Sequence, residues 1–592
     1  MVQAWISPLA ALIALLLAVP ALAQLAPDAK QAAPEAATGL NTKPAVSARH
    51  HMVVAANPYA AEAGLETLRA GGSAVDANIA VQMVLGLVEP QSSGLGGGAF
   101  LVHWDEKARA LSTIDGRETS PRAAKPDRFL LSTGQPMPFD DVTLSPLSVG
   151  VPGVVRALGV AHQRYGKRPW ASLFERAIDL ADNGFTVSPR LSALLAAQGA
   201  KSFNVAARKL YFDDAGQARP AGYLLTNPAY AATLRTLAAQ GAQAFYEGAL
   251  PASIVAALSN DMTLDDFAQY QAKDRDPVCP PFRGYKICSM GPPGSGAITV
   301  GMALGMLEAK LAAPPSHSMP ADVNALLHDE ISEIRLLIEA EKLAFADRDQ
   351  FIADPDFVSQ AGNLLDPAYL ASRALLIDPA NPMQKAQPGS PPLKSGALFG
   401  IDATHERSGT SQVSILDDDG NAVSMTTTVQ TAFGSGIMVG GFLLNSELTD
   451  FSFKPVDDAG VVIANRIEGG KRPRSSMAPS ILFDPKGDLF AVLGSPGGSR
   501  IILYNLKAII CLIEWHCSVQ QAASLPTFGS RNGPVEVEVG SPAQTDLGAA
   551  LTASGATVTP VDMTSGLGII ERRGSELEGA ADPRREGAAL GD

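Results

Sequence analysis

The most informative segment of the sequence is Arg407-Ser-Gly-Thr-Ser-Gln-Val-Ser-Ile-Leu-Asp-Asp-Asp-Gly-Asn-Ala-Val-Ser-Met-Thr-Thr-Thr428. Two runs of alternating residues flank a turn at 418–421, which predicts a β-hairpin with strands at 410–416 and 422–429. If the turn centres on Asp419-Gly420, position 410 lies opposite 429 and Thr428 falls beside Thr410. Two hydroxyl groups then meet at the open end of the hairpin. A threonine-rich hairpin by itself indicates only strand-forming sequence. Motifs elsewhere in the chain are needed to indicate a function.

The composition around this hairpin is that of a folded globular protein. The chain has 592 residues, 46% of them hydrophobic, with 46 Lys and Arg against 60 Asp and Glu, a formal charge of −14. An acidic chain of this kind is poorly suited to binding phosphate backbones, which excludes nucleic acid as a partner. The 55 Gly and 43 Pro predict many turns and small-residue packing.

Helices and strands alternate along the chain without an internal repeat. Helices are predicted at about 153–165, 171–183, 228–240, 298–312 and 321–351. Further strands are predicted at 100–104, 480–483 and 489–493. Runs of helices beside paired strands indicate sheets covered by helices.

The amino-terminal residues predict export. An uncharged, largely apolar segment ends in Ala21-Leu-Ala23, the small-residue pattern of a cleaved signal peptide at 1–23. Its apolar run is shorter than the roughly 20 residues that a membrane span needs, so no membrane association is expected after cleavage. Residues 24–48 are predicted to be a flexible leader. We therefore expect a periplasmic or secreted protein.

Four cysteines in an exported chain raise the question of disulfides. A two-residue turn at Arg283-Gly284 would set Cys279 opposite Cys288, and this geometry permits a cross-strand bridge. Cys511 and Cys517 are six residues apart in a predicted helix and point to different sides. That second pair is predicted to be two buried thiols.

Common catalytic signatures are absent from the sequence: there is no His-Glu-x-x-His, Cys-x-x-Cys, Walker loop or Gly-x-Ser-x-Gly. The eight histidines are scattered, which gives no support to a metal site. These observations leave a hydrolase of unusual type or a binding protein.

Short motifs spread from about Ala55 to the carboxyl terminus decide between these classes. They are Glu89-Pro-Gln-Ser-Ser-Gly-Leu-Gly-Gly-Gly98, Gly150-Val-Pro-Gly153, Tyr165-Gly-Lys167, Arg283-Gly-Tyr285, Leu337-Ile-Glu-Ala340, Ala346-Asp-Arg348, Lys471-Arg-Pro-Arg-Ser-Ser-Met477, Gly494-Ser-Pro-Gly-Gly-Ser-Arg500 and Ala581-Asp-Pro-Arg-Arg585. In order and spread they resemble the γ-glutamyltranspeptidase precursors. The hairpin resembles the point at which those precursors cut themselves, where a threonine becomes a new amino terminus.

The resemblance implies an N-terminal-nucleophile hydrolase with an α+β fold, a four-layer αββα sandwich. Cleavage between Gly409 and Thr410 would give a large subunit, 49–409 after the leader, and a small subunit, 410–592. The two subunits would stay together as a heterodimer in one intertwined domain. No metal or organic cofactor is implied.

The resemblance also implies the catalytic residues. Thr410 would be the nucleophile, Thr428 would position it by a hydrogen bond, and the amides of Gly497 and Gly498 would form an oxyanion hole. Thr410 is followed by Ser411-Gln412 where many family members have Thr-His.

Substrate recognition is implied at six positions. Arg117, in Ile114-Asp-Gly-Arg-Glu118, would bind the glutamyl carboxylate, supported by Ser475 and Ser476. Asp450 would face the α-ammonium group. Glu447 stands where family members carry Gln or Glu, and Gln430 stands where an asparagine commonly contacts substrate.

The function implied is a periplasmic γ-glutamyl hydrolase and transferase. It would attack glutathione and related donors and pass the γ-glutamyl group to water or to an acceptor amine. A glutaryl-type cephalosporin acylase on the same scaffold is the second alternative; Asp450 argues against it and Gln430 for it. The third alternative is an exported binding protein that is never cut.

Overall fold

The structure is a computed structural model that describes residues 43–259, 261–311, 323–358, 361–392, 399–404 and 406–592. The predicted signal peptide and residues 24–42 of the predicted leader lie outside the described residues.

Strands account for the centre of the molecule. Numbered in chain order, they are β1 (Val46–Ala48), β2 (Met52–Ala55), β3 (Gly98–Asp105), β4 (Ala110–Gly116), β5 (Phe185–Thr186), β6 (Leu224–Leu225), β7 (Lys273–Arg275), β8 (Pro281–Phe282), β9 (Tyr285–Ser289), β10 (Thr410–Leu416), β11 (Ala422–Thr428), β12 (Met438–Val439), β13 (Phe442–Leu443), β14 (Ser480–Phe483), β15 (Leu489–Gly494), β16 (Phe528–Gly529), β17 (Val535–Glu538), β18 (Val558–Val561), β19 (Gly568–Arg573), β20 (Glu576–Ala581) and β21 (Ala588–Gly591).

Helices cover these strands on both sides. They are α1 (Pro58–Arg69), α2 (Ala74–Val88), α3 (Phe139–Thr143), α4 (Val154–Tyr165), α5 (Glu175–Asn183), α6 (Pro189–Gln198), α7 (Val205–Tyr211), α8 (Pro228–Gln240), α9 (Ala249–Leu258), α10 (Leu264–Ala268), α11 (Gly296–Glu308), α12 (Val323–Asp329), α13 (Ile331–Phe351), α14 (Pro367–Ala374), α15 (Ile501–Ile513), α16 (Val519–Ser524) and α17 (Pro542–Ala553).

Two antiparallel sheets, each of seven strands within the described residues, face each other. The hairpin sheet has the order β21-β2-β10-β11-β3-β4-β7, and the second sheet has the order β1-β20-β19-β15-β14-β9-β8. Residues of both inner faces, such as Val54, Trp104 and Ile481, form one buried cluster between the sheets. Because side chains alternate along a strand, Val53 points outward into the helical layer that includes α1 and α2.

The outer face of the second sheet is covered by another helical layer. Leu482 and Leu493 of this sheet share a buried cluster with residues of α11, α13 and α15. The layers are therefore helix, sheet, sheet and helix, and the predicted four-layer αββα sandwich is confirmed.

The β10–β11 hairpin forms as predicted, but the predicted register is off by one residue. Thr410 pairs directly with Thr428, and Leu416 pairs with Ala422. The loop has three residues between the Asp417 and Asn421 pair, whose backbone amide and carbonyl are hydrogen-bonded at 3.0 Å. Gly420 takes the left-handed position in this loop, at φ 84°, as three-residue hairpin loops require.

All four cysteines are paired. Cys279 and Cys288 form a disulfide beside the turn at Arg283 and Gly284, the bridge that the hairpin geometry permitted. The prediction for Cys511 and Cys517 was wrong, because these residues form a second disulfide. The helix ends at Ile513 and His516 adopts φ 51°, so the chain turns back and the two Cα atoms approach to 5.2 Å.

Two predicted boundaries also need correction. The predicted leader ends at residue 48, yet Val46–Ala48 pairs with β20 and the Lys43 ammonium group donates to the carbonyl of Asp582 at 3.0 Å. The predicted single helix at 321–351 is two helices, because Glu330 leaves the helical conformation at φ −93° and ψ 14°. In the described part of the chain, no helix combines the length and the apolar character that crossing a membrane requires.

Candidate active site

The open end of the hairpin places two hydroxyl groups side by side between the sheets. Thr410 begins β10 and Thr428 ends β11, and their side-chain oxygens are 3.4 Å apart, with Thr410 donating. Both residues are buried. Thr410 shares the inner face of the hairpin sheet with Ser414, whose hydroxyl donates to the carbonyl of Gly568 in the second sheet at 2.9 Å.

The Thr428 hydroxyl also contacts the peptide bond that precedes Thr410. It donates to the carbonyl oxygen of Gly409 at 2.8 Å and accepts the amide of Gln430 at 2.8 Å. The amide of Val429 donates to the same Gly409 carbonyl at 3.3 Å. The carbonyl of the predicted cleavage site is therefore polarised by two donors, and Thr428 connects it to the Thr410 hydroxyl.

The backbone around this contact is closely packed and partly strained. A Cβ atom on Gly409 would lie against the backbone of Gln430 and Thr431, so only glycine fits at this position. Gln430 itself adopts φ 81°, a left-handed conformation that costs a glutamine about 1–2 kcal/mol. Strain of this kind accumulates at functional sites.

The predicted oxyanion residues follow β15. Gly498 begins a short 3-10 helix, has φ 58°, and lies against the backbone of Glu406 and Arg407. It lines the same pocket as Thr410 and Thr428, and Gly497 directly precedes it. Of the two predicted oxyanion residues, Gly498 therefore faces the hydroxyl pair across this pocket, and Gly497 is not among the described residues that line it.

Arg117 lies at the end of β4 on the recognition side of this pocket. Its guanidinium pairs with Glu447 and, at 2.5 Å, with Asp450. It also donates to the backbone carbonyl of Arg474 at 2.9 Å and to that of Pro473 at 3.2 Å. Each of these side chains is almost completely buried.

Burial and charge shift the titration of this group of residues. Burial raises the pKa of Asp450 to about 6, although Arg117 opposes the shift. Burial also raises the pKa of Glu447 well above its usual value, with Arg117 again opposing and Glu118 adding to the rise. Burial alone would lower the pKa of Arg117, but the carboxylates of Glu447 and Asp450 raise it. Arg117 thus remains charged, whereas the pKa of Asp450 is about 6 and the pKa of Glu447 lies well above its usual value.

The remaining predicted residues complete the same pocket. The side-chain amide of Gln430 donates to Asp450 at 3.1 Å, and its oxygen accepts the Ser446 hydroxyl at 2.7 Å. Ser475 and Ser476 line the pocket next to Met477. The structure therefore brings together in one pocket Thr410, Thr428, Gly498, Arg117, Gln430, Glu447, Asp450, Ser475 and Ser476.

Sequence reasoning missed several buried charged residues at this pocket. Glu406 lines it, and Arg348 binds both Glu406 and the Ser476 hydroxyl. Arg348 lies in the Ala346-Asp-Arg348 motif, which was the available signal. Arg585 lies behind the nucleophile and donates to the backbone carbonyl of Thr410 at 3.4 Å.

Glu118 was also missed. It is fully buried beside Arg117, and no hydrogen-bond partner of its carboxylate oxygens is found in the described part of the chain. Burial raises its pKa to about 8, and Arg117 opposes that shift. Among the described residues, no group of three or more His, Cys, Asp or Glu side chains is arranged to hold a metal ion.

The sandwich, with a threonine at the start of a central strand and a paired hydroxyl beside it, defines the class of N-terminal-nucleophile hydrolases. The family model described as gamma-glutamyltranspeptidase matches residues 60–592. The chain belongs to the gamma-glutamyltranspeptidase family.

Relatives and solved structures agree with this assignment. The chain is 34% identical over 551 residues to a glutathione hydrolase proenzyme of Escherichia coli, covering 91% of each chain. A cephalosporin acylase from Bacillus halodurans superimposes with a TM-score of 0.79 at 26% identity, covering 94% of this chain and 98% of that one. The gamma-glutamyltranspeptidase of Helicobacter pylori gives 0.53 at 29% identity, covering 60% and 99%.

Proposed function

We propose that the protein is a self-cleaving γ-glutamyl hydrolase and transferase with Thr410 as its nucleophile. The observation that carries this proposal is the hydroxyl chain from Thr410 through Thr428 to the Gly409 carbonyl. It joins the nucleophile to the bond that must break, in a chain that belongs to the gamma-glutamyltranspeptidase family.

Self-cleavage begins when the Thr410 oxygen attacks the carbonyl carbon of Gly409. The hydroxyl proton passes to the Thr410 nitrogen, the carbon–nitrogen bond breaks, and an ester joins Gly409 to the Thr410 side chain. Thr428 and the Val429 amide stabilise the charge that develops on the carbonyl oxygen. Water then hydrolyses the ester and leaves a carboxylate on Gly409 and a free amine on Thr410.

The freed amine supplies the base that the uncut chain lacks. An α-amino group titrates at about 7.7–8.0, so at neutral pH a useful fraction accepts the proton of its own hydroxyl. The Thr410 oxygen then attacks the γ-carbonyl of a glutamyl donor, such as glutathione, and the amine product leaves. Water or an acceptor amine releases the γ-glutamyl group from the ester. The amides of Gly497 and Gly498 bind the oxyanion in both steps, a contribution of about 3–4 kcal/mol per donor in well-studied cases.

Recognition of the donor rests on the charges around Arg117. Its guanidinium, with Ser475 and Ser476, binds the α-carboxylate, and Asp450 and Glu447 bind the α-ammonium group. Gln430 orients Asp450, because its side-chain amide donates a hydrogen bond to the Asp450 carboxylate at 3.1 Å.

The two fragments remain associated as a heterodimer of large and small subunits. Support comes from β10 and β11, which pair within one sheet with β2 and β3 from before the cut. The predicted signal peptide supports a periplasmic or secreted location.

A glutaryl-type acylase is the second candidate. An apolar cleft of about 350 Å³ beside the pocket shares Arg407 with it and is lined by residues that include Phe139, Phe453 and Ile463. Such a cleft could hold an apolar leaving group, and the cephalosporin acylase similarity favours this reading. Asp450 argues against it, because a glutaryl group has no ammonium to bind.

Two measurements test the proposal. Purified protein should give two unequal bands on a denaturing gel, and sequencing of the smaller fragment should return Thr-Ser-Gln-Val. The mature protein should release nitroaniline from γ-glutamyl-4-nitroanilide faster than from glutaryl-4-nitroanilide. One full-length band would favour the uncut binding protein, and a preference for the glutaryl compound would favour the acylase.

A further inference from the structure

Glu406, four positions before Thr410, places its carboxylate in the recognition side of the pocket. The amide of Ser476 donates to one carboxylate oxygen at 2.9 Å, and the guanidinium of Arg348 pairs with the other. The side chain is 5% exposed. A residue of the uncut segment therefore occupies the position where Ser475 and Ser476 are expected to support a substrate carboxylate.

Arg348 is held in place by several contacts besides Glu406. Its guanidinium donates to the Ser295 hydroxyl at 2.9 Å, to Asp349 at 2.7 Å and to the Ser476 hydroxyl at 2.7 Å. A fixed guanidinium beside a backbone amide is an arrangement suited to a carboxylate.

Glu406 interacts electrostatically with the predicted recognition residues Arg117 and Asp450. Burial acts to raise the pKa of Glu406, but Arg348 and Arg474 lower it, and Arg117 adds to that lowering. Glu406 in turn adds to the rise in the pKa of Asp450 that burial causes and Arg117 opposes. The carboxylate thus lies within the electrostatic reach of both Arg117 and Asp450.

We propose that Glu406 is a tethered occupant of the subsite that receives the substrate's α-carboxylate, and that Arg348 is a binding residue of that subsite. This inference rests on the proposed γ-glutamyl function and extends it. Cleavage after Gly409 turns the Glu406 segment into a free chain end, which can withdraw.

Withdrawal of Glu406 leaves the buried amide of Ser476 without its acceptor and removes a carboxylate from Arg348, which keeps Asp349. A buried donor without an acceptor is costly, so another carboxylate is favoured in the same place. Replacing one carboxylate by another also leaves the local charge unchanged, with Arg348 and Arg474 still facing Asp349 and Asp402. The uncut chain therefore blocks the subsite with the same chemical group that the mature enzyme binds there.

The kinetic test compares two donors on mature enzyme. γ-Glutamyl-4-nitroanilide carries the α-carboxylate, and 4-aminobutyryl-4-nitroanilide has the same amine and acyl chain without it. We expect Arg348→Gln to raise KM for the first donor about tenfold or more and to leave KM for the second and both kcat values nearly unchanged. Arg373→Gln is the matched control, because Arg373 is a buried arginine that pairs with Asp347 outside the pocket. An equal rise in KM for both donors would overturn the proposal.

A binding test does not depend on catalysis or on cleavage. The double variant Thr410→Ala with Glu406→Ala leaves an empty place for a small carboxylate, whereas Thr410→Ala alone keeps Glu406 in it. Propionate should raise the melting temperature of the double variant more than that of the single variant, and added Arg348→Gln should abolish the difference. Equal shifts in the single and double variants would overturn the proposal. This binding test remains decisive even if the Arg348→Gln chain is not cut and cannot be used in the kinetic test.

The two arms separate this inference from the proposed function. If neither nitroanilide is cleaved by the wild-type protein, the γ-glutamyl activity fails while the propionate result still decides the subsite. If γ-glutamyl-4-nitroanilide is cleaved but propionate and Arg348→Gln have no selective effect, the activity stands and the role of Arg348 and Glu406 is lost.

Discussion

The two ends of the β10–β11 hairpin are both rich in polar residues, but their contacts differ. At the turn end, Asp417 accepts the amides of Asp419 at 3.1 Å and Asn421 at 2.9 Å, and the neighbouring acids form exposed pairs with His50 and Lys167. At the open end, the threonine pair faces buried groups that come from distant parts of the chain. Hydrogen bonds among its own residues shape the turn, although Asp417 also accepts the distant amide of Ala74 at 3.0 Å, whereas the open end is enclosed by groups from several distant parts of the chain.

The largest effect should come from removing the nucleophile at the open end. Thr410→Ala should leave the chain uncut and lower γ-glutamyl hydrolysis by about 10⁴-fold or more, because it removes the oxygen that forms the ester. A denaturing gel and an anilide assay measure both effects. Asp419→Ala at the turn end is the control and should be cut normally. Appearance of both fragments from Thr410→Ala would reassign the nucleophile.

The second-largest effect should come from the Thr428 hydroxyl, which lies beside Thr410. Thr428→Val keeps the shape of the side chain but removes the donor to the Gly409 carbonyl, so self-cleavage should slow by about 10²–10³-fold. The rate is followed by the loss of precursor on gels. Thr427→Val is the matched control, because that buried hydroxyl donates to the carbonyl of Gly98, at 3.2 Å, and not to the carbonyl of Gly409. Equal slowing in both variants would show that Thr428 has no special role.

A third variant separates recognition from cleavage at the same open end. Arg117→Gln should raise KM for γ-glutamyl-4-nitroanilide by roughly 10- to 100-fold, because the α-carboxylate of the bound substrate loses its cation. The precursor should still be cut. Steady-state kinetics on the matured variant give the result. Arg283→Gln removes a guanidinium that pairs with Glu514 outside the pocket and should leave KM near the wild-type value. An unchanged KM in Arg117→Gln would remove Arg117 from the binding site.

A pH difference between donors should be smaller. Burial raises the pKa of Asp450 to about 6, so this group loses its charge as the pH falls through that value. kcat/KM for a γ-glutamyl donor should then fall several-fold more than kcat/KM for a glutaryl donor, which has no ammonium group. Both donors share the titration of the Thr410 amine, so their ratio isolates Asp450. Asp450→Asn should make the ratio independent of pH between 5 and 7, and a ratio that still changes would assign the titration elsewhere.

Sequence patterns were sufficient where the determining contacts are local. The hairpin strands, the 228–240 helix and the permitted Cys279–Cys288 bridge depend on residues close in the chain. The hairpin register was missed because two-residue and three-residue loops both suit the same acidic, glycine-containing turn. The Cys511–Cys517 bridge was missed because the helix ends earlier than its apolar run suggests.

The site was predictable only where motifs identified it. Arg117, Asp450 and the serine pair could be assigned through the resemblance, and the pocket brings them together. Arg348 lies in a recognised motif, but its pairing with Glu406 could not be assigned, because that pairing depends on how a segment before the cut folds back onto α13. Spacing in the chain carries no information about such long-range contacts between charged groups.

The smallest effect should come from the turn end, and it should concern stability alone. Gly420 has φ 84°, and a Cβ atom there would approach the Glu106 side chain to 3.0 Å, so Gly420→Ala should destabilise the fold by about 1–2 kcal/mol. Denaturant unfolding in the Thr410→Ala background measures this on a single uncut chain. Asp419→Ala breaks the exposed pair with Lys167 and should cost less than about 0.5 kcal/mol. In an otherwise wild-type chain, Gly420→Ala should still be cut before Thr410 at a normal rate, because the polarised carbonyl lies at the other end of the strands. Slowed cleavage in this variant would mean that the two ends are mechanically coupled, and that the open end depends on the turn after all.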